Sequence, residues 1–116
     1  MFEKFTMTAR RVIFFARYEA SERGASSIEP CHLLAGLERE EKKETERFLA
    51  EYPEMEALRQ RVNPNGVPWP KISTSVDMPL TDASKRALSA ASDCAEGRAS
   101  VGTAELLRGL LSVARG

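Results

Sequence analysis

Apolar residues near the start of the chain recur with the spacing of an α-helix. Ala9, Val12, Ile13, Ala16 and Ala20 fall on one face. They predict a helix over about 7–23, for which Thr6 can accept a bond from an orphan backbone N–H, with Thr8 as a rival cap. Gly24 marks its end, and Pro30 suits the first turn of a second helix over about 30–39 carrying Leu33, Leu34 and Leu37. A charged stretch anchored by Phe48 and Leu49 predicts a third helix over about 42–51. Pro53 breaks it and opens a fourth over about 54–62, with Met55, Leu58 and Val62 roughly one turn apart. Pro64, Pro68, Pro70 and the Asn65-Gly66 pair exclude helix and predict an extended connector over about 63–79. Beyond it, Ser84, Ala87, Leu88, Ala91 and Ala95 share a face, predicting a helix over about 82–96 that starts at Thr81 and stops at Gly97. Thr103 opens a last helix over about 103–114 with Leu106, Leu107, Leu110 and Leu111. The β-branched residues between Ile72 and Val76 are too few, and too close to prolines, to make a strand. The expectation is an all-α fold of about six helices.

The pattern occurs twice. At an offset of 75, Thr6 matches Thr81, Arg11 matches Arg86, Ala16 matches Ala91 and Ala20 matches Ala95. Two residues then drop out, and at an offset of 73 Ile28 matches Val101, Leu33-Leu34 matches Leu106-Leu107, and Gly36-Leu37 matches Gly109-Leu110. Amphipathic spacing alone does not produce paired threonines and paired glycines in the same order. The chain therefore reads as one domain, 1–116, built from two pseudo-symmetric helical repeats, about 5–62 and about 80–116, the second of them short. Gly36 and Gly109 lie inside helices, where glycine costs about 1 kcal/mol relative to alanine, so close helix packing is the expected reason for them.

Composition narrows the function. The 116 residues carry 17 basic and 17 acidic side chains, a net charge of zero that does not suit a general polyanion binder. No apolar run is long enough to span a bilayer, and no apolar stretch follows the first residues as in a signal peptide, so no membrane partner is expected. Cys31 and Cys94 read as reduced thiols of a cytoplasmic protein.

No residue set announces catalysis. His32 stands alone, and Cys31 beside it does not share its helix face, so a histidine bonding to backbone at a helix start is the expected role. A metal site needs more ligands than this pair supplies. No catalytic residue, cofactor or metal is assigned. Glu38, Glu40, Glu41, Glu44 and Glu46 alternate with Arg39, Lys42, Lys43 and Arg47, the mark of a solvated helix face. Arg10, Arg11, Arg17 and Arg23 give the first helix a basic cast that motivates an alternative, a small helical nucleic-acid-binding regulator. Phe14 and Tyr18 point away from the apolar stripe, and their counterparts Ser89 and Asp93 are polar. Two readings of them stand: rings packed under the connector, together with Trp69, or an aromatic patch for a peptide or a second subunit. Packing stands ahead of docking.

Phe5-Thr6 with its Ala/Val/Ile helix, Gly24, and the run Ile28-Glu29-Pro30-Cys31-His32-Leu33-Leu34-Ala35-Gly36-Leu37 resemble the Clp N-terminal repeat. This motif occurs twice in the N-terminal domain of Clp ATPases, most like the ClpC and ClpA branch. The second copy keeps Thr103, Leu106, Leu107, Gly109 and Leu110. The resemblance covers about 2–40 and 80–111. It implies a non-catalytic module that binds substrates or adaptor proteins for an ATP-driven unfoldase, with a Clp-type ATPase, an adaptor or an unfolded substrate as its partner. It also points to Thr6 and Thr81, and the face of Phe14 and Tyr18 joins them as candidate partner-binding residues. No phosphate-binding Gly-x-x-x-x-Gly-Lys-Ser/Thr loop is present, so the expectation is a stand-alone protein or a fragment without ATPase modules. A family domain would continue past the second copy, and apolar surface left open there could be covered by a second copy of the chain in a homodimer. In some family members, phosphorylated arginine binds at two sites through the glutamate of a Thr-Glu-His motif. Those positions hold Cys31 and Ala104, and Glu105 is turned by roughly 100° from the second of them, so this recognition is expected to be weak or lost.

Overall fold

The structure is a computed structural model and describes residues 4–61, 78–95 and 100–115. Six helices follow in order: α1 (Met7–Glu22), α2 (Pro30–Glu40), α3 (Lys42–Glu51), α4 (Met55–Gln60), α5 (Asp82–Cys94) and α6 (Thr103–Arg115). The described residues contain no strand. The bounds agree with the sequence pattern to within about two residues, the usual scatter at frayed ends. Val62, Gly97, Trp69 and most of the predicted connector lie outside the described residues.

Local chemistry accounts for the boundaries. Thr6 Oγ1 accepts from the Ala9 N–H at 3.1 Å, and Thr81 Oγ1 from the Ser84 N–H at 3.2 Å, so Thr6 rather than Thr8 caps α1. Gly24 takes a φ of 70°, and past it the Ala25 N–H reaches back to the Ala20 carbonyl at 2.9 Å while the Gly24 N–H bonds that of Ser21 at 3.2 Å. This paired closure satisfies the last carbonyls of α1 and needs a residue without a Cβ at its left-handed position.

α1 packs on α2 and α5 on α6, one helix pair per repeat. α3 and α4 both lean on α2, and α4 also reaches α6. In the first pair, a Cβ on Gly36 would run into the Val12 carbonyl and lie 3.1 Å from the Ala16 nitrogen. In the second, a Cβ on Gly109 would run into the Ala87 carbonyl and lie 3.0 Å from the Ala91 nitrogen. Val12 and Ala87, like Ala16 and Ala91, are 75 apart, so one close approach of backbones is built twice. The helical glycines are thus explained by packing, as expected.

The halves are joined by an exchange. The Thr6 N–H donates to the Val101 carbonyl at 2.9 Å, and the Val101 N–H to the Lys4 carbonyl at 2.7 Å. On the other side, the Thr81 N–H donates to the Ile28 carbonyl at 3.0 Å, and the Ile28 N–H to the Pro79 carbonyl at 2.9 Å. Each repeat thus pairs the lead-in to its first helix with the lead-in to the second helix of its twin. Only isolated bridges result, Phe5 with Val101 and Ile28 with Leu80. Between them lies the core, where Val12, Leu33 and Leu37 of one repeat meet Leu88, Leu106 and Leu110 of the other, all buried. The fold is all-α and made of two pseudo-symmetric repeats.

Candidate protein-docking surface

The outer face of α1 carries the widest departure from symmetry. Phe14 is 67% exposed, a large ring held out in solvent. It meets Phe15 edge to face, with ring centres 5.6 Å apart. The guanidinium of Arg39, from the last turn of α2, lies 5.2 Å from the ring centre of Phe15 and 4.9 Å from that of half-buried Tyr18. Such stacking holds a cation against a ring face and fixes the long side chain in place. Most of the connector under which Phe14 and Tyr18 are expected to pack lies outside the described residues; Tyr18 packs against Arg39. Trp69, its expected companion, lies outside the described residues.

Arg39 links this ring cluster to a groove of about 400 Å³ between α1, α2 and α4. Leu34 and Ala35 lie along it, with Arg23, Lys42 and Arg59 as its other cations. Glu19 ties Arg23 and Arg39 together, the latter at 3.2 Å, while Glu38 holds Arg59 at 3.1 Å. Burial pushes the Glu38 carboxyl up from its usual range, against the pull of Arg59. Arg23 has a buried Nε that finds no hydrogen-bond acceptor among the described residues. The sequence pattern places Glu38, Arg39 and Lys42 on a solvated helix face; Arg39 and Lys42 are exposed there, and in addition Arg39 reaches the rings and half-buried Glu38 reaches α4. No short-range spacing announces either contact, because both depend on how helices cross. The one signal was the Phe14/Ser89 and Tyr18/Asp93 mismatch between the copies.

Two of the arginines that give the first helix its basic cast are held by carboxylates. Arg11 pairs with Glu40 and Arg23 with Glu19. This pairing blunts the electrostatic case for nucleic acid.

At the start of α2, His32 is buried and its Nδ1 accepts from the Glu29 N–H at 2.9 Å, the expected backbone role. Its counterpart Glu105 does the same work at the start of α6, accepting from the Gly102 N–H at 2.8 Å. Glu105 is therefore committed to its own helix and does not stand in for the motif carboxylate missing at Ala104. Burial is the main cause that lowers the His32 pKa and pushes the Cys31 thiol up to about 11. Glu29, Cys31 and His32 bring three potential metal donors within 4.8 Å of one another. The His32 Nδ1 already accepts the capping bond, burial disfavours the Cys31 thiolate, and a helix N-terminus repels a cation, so the donor set fits a cap better than a cation.

The remaining candidates, Thr6 and Thr81, both spend their hydroxyls on helix caps. Thr81 also borders a groove of about 310 Å³ with Glu54, Arg61 and Val113. Thr6 and Thr81 mark the two cross-repeat junctions and are not brought together with Phe14 and Tyr18 in one site. No helix among the described residues is long and apolar enough to cross a membrane.

A profile of the Clp repeat (R) N-terminal domain matches residues 4–116. The chloroplastic chaperone protein ClpD2 of rice, Oryza sativa subsp. japonica, is 34% identical over 95 residues, which make up 78% of this chain and 10% of that protein. The chain thus spans about a tenth of that relative's length. The N-terminal domain of the caseinolytic-protease-associated chaperone ClpD from Arabidopsis thaliana superposes with a TM-score of 0.70 at 23% identity, over 97% of this chain and 79% of that one. The Hsp104 N-terminal domain from Candida albicans gives a TM-score of 0.71 at 16% identity, over 96% and 77% of the two chains.

Proposed function

We infer the function from kinship and surface together: the chain belongs to the Clp repeat N-terminal domain family, a chaperone N-domain module, and its work is to dock other polypeptides. It is a non-catalytic interaction module. Its partners are unfolded substrates, or the adaptors and Clp-type ATPases that handle them. The observation that carries this reading is Phe14, a ring left exposed on a rigid helix where the twin helix has a serine. Covering such a ring with a partner's apolar side chain removes surface from water, worth about 1.5–3 kcal/mol for a fully buried ring. The surrounding pairs, Arg39 with Glu19 and Arg11 with Glu40, form the polar rim that interfaces carry.

Titration of the purified chain with a permanently unfolded polypeptide, its cysteines carboxymethylated, tests the reading. Binding to the unfolded form and not to its native counterpart is expected, without turnover of ATP. Absence of binding to unfolded protein, together with steeply salt-dependent binding to duplex DNA, would replace it with the nucleic-acid alternative.

A further inference from the structure

We propose that the junction between the repeats at Ile28 is an acid-sensitive latch: a proton on His32 releases it, while the twin junction at Val101 holds.

A single peptide unit makes the latch. The carbonyl of Ile28 and the N–H of Glu29 belong to one rigid plane. Its carbonyl end accepts from the second repeat, from the Thr81 N–H at 3.0 Å and the Ser84 hydroxyl at 2.7 Å. Its N–H end donates to His32 Nδ1 at 2.9 Å. The twin junction is built the same way on the peptide between Val101 and Gly102. There the carbonyl accepts from the Thr6 N–H at 2.9 Å, and the N–H donates to the Glu105 carboxylate at 2.8 Å. In both, the plane that joins the repeats is held from behind by the third residue of the helix it leads into. Glu29 and Pro30 on one side of the latch, and Thr81 and Ala83 on the other, line the groove of about 310 Å³, so the latch ties together two walls of one groove.

The two holding groups answer a proton differently. A carboxyl group keeps acceptor lone pairs with or without its proton, whereas both nitrogens of an imidazolium are donors. A proton on His32 Nδ1 therefore sets N–H against N–H, strips the Glu29 N–H of its acceptor, and places a cation at the positive end of α2. The ring is buried, so that cation also loses its water. The charged groups that act on it are Glu29 at the cap, and Glu19 and Arg23 at the end of α1. The two carboxylates favour the cation and Arg23 opposes it, and burial outweighs them all. Opening relieves this conflict. It frees the plane, and the bonds to Thr81 and Ser84 go with it.

The sign follows from linkage. The closed latch resists the proton, and the open form takes it near the ordinary histidine value of about 6.5, so opening grows easier as pH falls below that value and is level above it. Linkage limits the gain to about tenfold between about pH 7.5 and pH 5.5 for one such group.

Amide exchange of the purified chain, followed by NMR at these two pH values and corrected for the intrinsic rate, tests the latch residue by residue. The amides of Glu29 and Thr81 should lose threefold to about tenfold in protection on acidification, and those of Thr6 and Gly102 less than twofold. His32→Glu, which copies the twin's holding group, should remove the loss at Glu29 and Thr81. Glu105→His should carry it over to Thr6 and Gly102. Equal losses at both junctions in the unaltered chain would assign the effect to unfolding of the whole molecule and overturn the proposal. Unchanged protection at Glu29 and Thr81, or a loss that persists in a folded His32→Glu protein, would overturn it as well. The comparison within the unaltered chain decides the matter even where a variant fails to fold.

Discussion

Gly36 and Gly109 each sit where a methyl group would meet a backbone carbonyl, and a carbonyl cannot swing aside as a side chain can. Alanine at either position gains about 1 kcal/mol of helix propensity but meets an overpacking cost of about 1–3 kcal/mol or more. Gly36→Ala and Gly109→Ala should therefore both lower stability in urea unfolding, and a rise with either would mean that the helices can part cheaply. His32 makes a second prediction. Burial lowers its folded pKa, so protonation favours the unfolded chain. Stability should be level above about pH 6.5 and fall as pH drops below it, toward the depressed folded value. His32→Gln keeps an acceptor for the Glu29 N–H and should flatten that dependence, as read from urea midpoints between pH 5 and 8. A dependence unchanged by the substitution would assign it to other groups.

At the scale of elements, the helices were legible and their partnerships were only partly so. The period of apolar residues, the threonine caps and the glycine stop fix α1, α2, α5 and α6 closely, because helix ends are set by neighbours in sequence. The offset of Thr6 from Thr81 and of Gly36 from Gly109 disclosed the duplication. The crossed pairing of lead-in segments was not legible, since a bridge of one residue leaves no pattern. Ser84 illustrates this. Its hydroxyl donates to the Ile28 carbonyl at 2.7 Å across the repeat boundary, yet its counterpart is Ala9, and in sequence it reads as one more small residue on an apolar face. Ser84→Ala should cost about 1–2 kcal/mol through the lost bond to a buried carbonyl, measured by chemical denaturation. A neutral result would show that the first repeat's solution, an alanine, serves equally well at both junctions. The ring contacts of exposed Arg39 were not legible for a related reason: its rings lie on another helix.

For the whole molecule, pseudo-symmetry separates what the fold requires from what it does not. Leucines, glycines and caps recur in both repeats and hold the core. Phe14, Tyr18 and Arg39 occur once, Phe14 and Arg39 exposed and Tyr18 half-buried. Replacing an exposed side chain usually shifts stability by no more than about 0.5 kcal/mol, so loss of the Phe14 ring should be silent in unfolding experiments. The most direct measurement is the affinity of the purified chain for a permanently unfolded polypeptide, compared with that of the Phe14→Ser protein at matched stability. The account predicts clear binding by the first and a loss of fivefold or more by the second. Equal affinity for the two proteins, or none for either, would contradict it.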